Sequence, residues 1–152
     1  ARIAADVRVK WPNDVLVDDR KLAGILLESQ LDAGQVTAIV VGVGLNVGMS
    51  QLPPELRGVA TSLALLGDRD PRREEVLIEL LAALERRVAA HAQGGLAPVL
   101  AELARVDALA GRRVRADRVE GVAAGIAPDG ALRVRTDDGV EARVCSGGVV
   151  LI

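Results

Sequence analysis

The stretch that most constrains this chain is residues 7–29, VRVKWPNDVLVDDRKLAGILLES. It begins as an alternating strand, with Val7, Val9 and Trp11 on one face and Arg8 and Lys10 on the other. Pro12 lacks an N–H and ends the ladder. Asn13 and Asp14 follow as short polar groups at a strand end. A second apolar run, Val15–Val17, reaches an Asp18-Asp19 turn, and the chain returns through Arg20 and Lys21 into a long strand ending near Ser29. Folding back in this way brings Asn13, Asp14 and Lys21 into one neighbourhood. Gly24 weakens the middle of an apolar strand unless something must approach closely there.

Cation usage sharpens the point. The chain has two lysines, Lys10 and Lys21, against seventeen arginines, and both lie in this stretch. Lysine offers a compact, mobile point charge where arginine offers a rigid fork. A site that follows a moving phosphoryl or carboxylate oxygen can use the former. Chance in a small sample is the plainer reading.

The next segment, Asp32-Ala33-Gly34-Gln35, reads as a tight turn between two antiparallel strands spanning 22–30 and 36–47. The unbroken apolar run Val36–Val43 predicts a strand buried on both faces or nearly so. It ends in GVGLNVG at 42–48, which is neither a dinucleotide fingerprint nor a P-loop. It offers bare backbone beside one side-chain amide, Asn46, which carries both donor and acceptor. Glycines that merely relieve crowding between strands would look the same. Thr61 or Ser62 is expected to cap a short helix ended by Gly67. Asp70-Pro71 is expected to cap and start a long amphipathic helix whose stripe includes Val76, Leu77, Leu80, Leu81, Leu84 and Val88. Gly94-Gly95 breaks it, and a shorter helix runs from about Leu96 to Val106.

From Asp107 the texture changes to short alternating runs punctuated by glycine, with hairpin signals at Asp129-Gly130 and Asp138-Gly139. Five short strands in so few residues predict a small closed or partly closed barrel. The expected division is 1–106 and 107–152, with the boundary near 104–111.

Composition excludes several functions. The core must be aliphatic, because there is no Phe or Tyr and a single Trp. That removes aromatic base-stacking platforms. Net charge is −2, and residues from 107 on carry seven positive and seven negative groups, so no nucleic-acid footprint appears. One cysteine, Cys145, rules out an internal disulfide and a cysteine zinc site, and the single His91 has no clustered partner. No apolar run reaches the roughly 18 residues of a membrane span. No signal peptide opens the sequence, so a cytoplasmic protein is expected. Residues 1–5 look like the last turn of a helix without an initiator methionine, which suggests a piece of a longer chain.

KWPND at 10–14, RKLAGIL at 20–26, GVGLNV at 42–47 and ATSL at 60–63, in this order, resemble the biotin protein ligase family. The helix pair and the C-terminal strands match that family's layout, so the likeness spans the whole chain. The resemblance implies an α/β (α+β) fold: a mixed, largely antiparallel sheet with flanking helices, as in class II synthetase-like ligases, plus an SH3-like C-terminal barrel. It implies a two-step reaction. Biotin and ATP give biotinyl-5′-AMP with Mg²⁺, and the biotinyl group then passes to a lysine of a biotin carboxyl carrier domain. By this likeness Lys21 holds the biotin carboxylate and the α-phosphate together, and Gly24 and Ile25 wall the ligand. Asn13 and Asp14 orient the acceptor amine, with Asp14 also an indirect contact to Mg²⁺. Asn46 touches adenosine or phosphate, and Lys10 adds a second positive charge. Trp11 is read as core.

The family's upstream half, with its Gly-Arg-rich loop, has no counterpart here, and Arg112-Arg113 does not replace it. The expectation is therefore that residues 1–152 alone are not a competent ligase and need the missing N-terminal half. No nucleic-acid or membrane contact is expected from this piece. A lipoate-type attachment enzyme and a non-catalytic carrier-binding module are the rival readings.

Overall fold

The computed structural model describes residues 6–67 and 70–152. The expected helical turn at residues 1–5 lies outside them. The elements are β1 (Val7–Lys10), β2 (Asp14–Val17), β3 (Arg20–Asp32), β4 (Gln35–Leu45), α1 (Arg73–Gly94), α2 (Ala97–Val106), β5 (Arg113–Ala116), β6 (Val119–Ile126), β7 (Leu132–Arg135), β8 (Glu141–Val144) and β9 (Val149–Leu151), with a 3-10 turn at Pro54–Leu56. They divide into two compact units, one built on residues 13–71 and the other on residues 8–12 with 72–152.

In the first unit β2, β3 and β4 pair antiparallel in that order. Both hairpin turns use left-handed backbone. Asp18 and Asp19 have φ of 50° and 59°, and Ala33 and Gly34 have φ of 46° and 80°. Two successive left-handed residues match the twist of the flanking strands. The expected hairpin is therefore present, but its predicted burial is not. Every residue of β4 from Gln35 to Gly44 is exposed, as are Leu26, Leu27 and Leu31 on β3. A continuous apolar run implies a cover on both faces, and among the described residues of this unit no element supplies one.

The β2–β3 ladder contains a bulge that no spacing rule announced. Val15 faces Ala23 but Leu16 faces Lys21, so Leu22 is an extra residue on β3. A bulge of this kind shifts the alternation of side chains by one. Leu22 and Ala23, consecutive in sequence, are accordingly both buried.

In the second unit α1 and α2 meet through the Arg87–Glu102 ion pair at 2.7 Å. The first helix starts at Arg73, two residues later than the Asp70-Pro71 signal suggested, and its N-cap Arg72 makes no side-chain cap bond. None of its side chains is buried, and Leu77, Leu81 and Val88 are exposed. Likewise Leu63–Gly67 is a turn and not a helix. Ser62 still acts as expected of a cap: its hydroxyl accepts the Leu65 N–H at 3.2 Å and donates to the Met49 carbonyl at 2.6 Å.

The five C-terminal strands appear close to where the sequence placed them, and Gly130 and Gly139 take the left-handed turn positions. They do not make a barrel. The strand order is β8-β7-β6-β5-β9, and the two outer strands are not paired with each other, so the sheet stays open. β9 is three residues long and spends its ladder on β5. The buried side of the sheet is filled instead by Trp11 and Leu109, which join Val114, Ala123, Leu132 and Val134 in one core cluster. Trp11 is core, as its strand face suggested, and its Nε1–H donates to the Gly130 carbonyl at 3.0 Å.

Candidate functional site

The first unit gathers most of the sequence-nominated residues at one end of its sheet. Asp14 opens β2 and stands opposite Gly24 on β3. In a regular strand Lys21 and Gly24, three apart, would point to opposite faces. The bulge at Leu22 turns Lys21 onto the face of Gly24 and Asp14. Its ammonium lies 2.5 Å from Asp14 Oδ1. That oxygen is shielded from solvent and makes no aligned hydrogen bond, so the contact is an ion pair. About half of the Lys21 side chain remains accessible, against 23% for Asp14. The cation is thus open to an incoming anion while its counter-ion is held in the wall.

The backbone of Lys21 is fixed from the side. Where β4 leaves β3 at Leu45, the segment Val59–Thr61 takes its place beside Lys21. Lys21 N–H donates to Val59 carbonyl at 2.8 Å, and Thr61 N–H donates to Lys21 carbonyl at 2.9 Å. Asn46 closes this joint. Its amide Nδ2 donates to Thr61 carbonyl at 2.9 Å and, more weakly, to Lys21 carbonyl at 3.4 Å. Its backbone N–H binds Leu22 carbonyl at 3.0 Å and its carbonyl accepts from Leu63 N–H at 3.0 Å. Both amide hydrogens are therefore engaged, and the group left to face a ligand is the acceptor oxygen. Thr61 and Ser62 are fully buried, and Thr61 joins the site through its backbone.

The remaining nominees are placed as follows. Asn13 is exposed, and its carbonyl accepts the Ile25 N–H at 2.9 Å, which ties the PND corner to the strand carrying Gly24 and Ile25. Ile25 is half-buried. Lys10 lies on β1, in the second unit. Among the described residues no group of three or more His, Cys, Asp or Glu side chains could hold a metal. No helix of the described residues is long and apolar enough to cross a membrane. Sequence reasoning missed Leu22 and the clamp made by Asn46. Neither a bulge nor a side-chain-to-backbone bond has a periodicity to betray it.

Comparison with known proteins bears on the same residues. Residues 2–46 match the family model described as "Biotin/lipoate A/B protein ligase family", and residues 110–151 match "Biotin protein ligase C terminal domain". The bifunctional ligase/repressor BirA of Escherichia coli is 36% identical over 145 residues, covering 90% of this chain and 44% of that protein. BirA of Bacillus subtilis is 30% identical over 139 residues, covering 88% and 43%. The chain thus spans less than half the length of these two relatives. Among solved structures, biotin protein ligase from Aquifex aeolicus superimposes with a TM-score of 0.84 at 26% identity, covering 96% of this chain and 65% of that one. The motifs at 10–14, 20–26 and 42–47, the two matched family models and this structural likeness agree: the chain belongs to the biotin protein ligase family.

Proposed function

We propose that this chain is the portion of an ATP-dependent biotin protein ligase that carries the positive charge of its adenylation site. The observation that carries the reading is the Lys21 ammonium, half accessible and held 2.5 Å from Asp14 on a strand end pinned by Asn46. A cation on a rigid backbone and a mobile stem can sit between two anions, the carboxylate of biotin and the α-phosphate of ATP. Its positive charge offsets their mutual repulsion as they approach. The same charge then stabilises the negative charge that grows on the phosphoryl oxygens as carboxylate attacks phosphorus and pyrophosphate leaves. In the second step a carrier lysine attacks the mixed anhydride and AMP departs. Asp14, with Asn13 beside it, is the group in reach to orient that amine and take its proton. Gly24 and Ile25 line the ligand, and the Asn46 acceptor oxygen meets a donor of the adenosine. Lys10 is the second positive charge in this reading.

Mg²⁺ fits this site only in part. Nucleotide-bound Mg²⁺ commonly takes one or two protein carboxylates and fills its shell with phosphate and water. Asp14 offers one carboxylate, and its inner oxygen is engaged by Lys21. The metal would arrive with the nucleotide, with Asp14 as an indirect contact, and would supply charge neutralisation at the phosphates.

The reading includes a division into residues 1–106 and 107–152, supported by the separate family match at 110–151. It also includes a requirement for the N-terminal half of the catalytic domain, supported by the exposed apolar faces of β3 and β4. The partner is a biotin carboxyl carrier domain, and the compartment is the cytoplasm. A lipoate-type enzyme is the second reading, because the match at 2–46 is to a model shared by both. The test is ATP–pyrophosphate exchange by the whole protein with biotin or lipoate. Exchange that depends on biotin supports the proposal; exchange driven by lipoate alone, or none with either acid, rejects it.

A further inference from the structure

Gly24 invites a more specific conclusion. A Cβ built on it would sit 3.2 Å from both Cε and Nζ of Lys21 and 3.6 Å from Asp14 Oδ1. The two 3.2 Å distances are tighter than ordinary contact, the third is not, and the crowded atoms are the end of one flexible side chain. Gly24 has no left-handed backbone to explain its presence, unlike Gly34 or Gly58. Nor does the opposing strand require it. Its cross-strand partner Gly44 would place a Cβ no nearer than 3.8 Å to anything, and that atom is the Gly24 carbonyl oxygen. The atoms that a Cβ at 24 would meet first are those of the Lys21 amine and of the Asp14 carboxylate beside it.

We propose that Gly24 is a positioning residue for the Lys21 amine: its bare Cα is the slot in which the ammonium parks against Asp14, and the extra residue Leu22 puts that slot on the right face. The parked amine is pre-aimed. An arriving anion takes over the ammonium from Asp14, and the carboxylate left behind is released at that moment. Lysine is suited to this exchange because a flexible stem can swing between two acceptors. The role in catalysis rests on the ligase reading; the parking does not.

The chain has only two lysines, so lysine-selective ¹³C,¹⁵N labelling gives two side-chain Cε–Hε signals, assigned with Lys10→Arg. Four variants of the full chain are compared with wild type: Asp14→Asn, Gly24→Ala, Gly24→Val and Gly44→Ala. Asp14→Asn defines the Lys21 signal without its counter-ion. The expected result is a graded displacement toward that position, partial in Gly24→Ala and larger in Gly24→Val, with none in Gly44→Ala. Amide spectra report whether each variant keeps its fold, and Gly24→Ala decides if Gly24→Val does not. A Lys21 signal that stays at its wild-type position in a folded Gly24 variant overturns the proposal. So does an Asp14→Asn variant that leaves Lys21 unmoved, since the pair would then not form in solution. Biotin-dependent pyrophosphate exchange by the whole protein is measured separately. Its absence beside the expected spectra would reject the ligase reading and leave the parking role standing.

Discussion

Removing the Asn46 amide tests the joint that holds Lys21 in place. In Asn46→Ala the Thr61 carbonyl loses its 2.9 Å donor in the interior of the unit, while the Lys21 carbonyl loses only a 3.4 Å contact and keeps the Thr61 N–H. The first loss dominates. A hydrogen bond of this kind contributes about 1 kcal/mol net, and an abandoned buried carbonyl costs roughly 1–3 kcal/mol. The expected destabilisation is therefore ~1–3 kcal/mol. Asn46→Asp is nearly isosteric but offers no hydrogens, so a carboxylate would face two carbonyl oxygens. It should be worse than alanine, whereas any role limited to shape would make it milder. Urea unfolding followed by circular dichroism gives the order, and amide exchange gives the location. Exchange at the Lys21 and Thr61 N–H groups should accelerate more than exchange in the C-terminal sheet. An Asn46→Asp variant as stable as wild type would refute the clamp.

Four further outcomes are expected. Gly121→Ala should cost about 3 kcal/mol in a thermal melt, the upper end for overpacking, because its Cβ would lie 2.2 Å from the Arg135 carbonyl oxygen on β7, which is backbone and cannot turn aside. Trp11→Ala should cost about 3–5 kcal/mol by loss of core volume, and Trp11→Phe less, losing chiefly the Gly130 bond. Acid should weaken the C-terminal sheet. Hydrogen bonds from Arg113 hold the Asp137 carboxyl below the usual range, and the Ala131 N–H, then Arg143, do the same for Asp129. Groups lowered in the folded state stabilise it above their unfolded values, and that contribution disappears as pH falls through the folded ones. Both are exposed, so melting profiles from neutral to acid pH should show a small downward drift and no cliff. Finally, the chain by itself should self-associate through its bare strands, and Leu27→Glu with Val40→Lys should reduce the sedimentation-measured mass without lowering the melting temperature.

What the sequence revealed follows physical range. Turns are local, and Asp18-Asp19, Ala33-Gly34, Asp129-Gly130 and Asp138-Gly139 all fell where dihedral demands put them. The Lys21–Asp14 meeting was also legible, since a short hairpin leaves two residues so placed few alternatives. Reading Val36–Val43 as doubly buried failed because an apolar pattern reports what a strand wants and not what this chain contains to cover it. The barrel failed for a related reason. Strand count does not fix closure, which depends on whether the last strand reaches the first, and Val149–Leu151 stops at β5. Asp70 was passed over as a cap because Pro71 and Arg72 stay outside the helix. The bulge at Leu22 left one sign that could have been read: Lys21 and Gly24, odd in separation, were both assigned to one ligand site.

Single-turnover formation of biotinyl-5′-AMP by the whole protein, wild type against Lys21→Ala and Lys21→Arg, addresses the charge at position 21 most directly. Loss of one such electrostatic contact should slow adenylate formation by about 10²–10³-fold in the alanine variant. Arginine should recover only part of the rate, because a rigid fork cannot fit the slot over Gly24. Adenylate formed at the wild-type rate by Lys21→Ala would contradict the account.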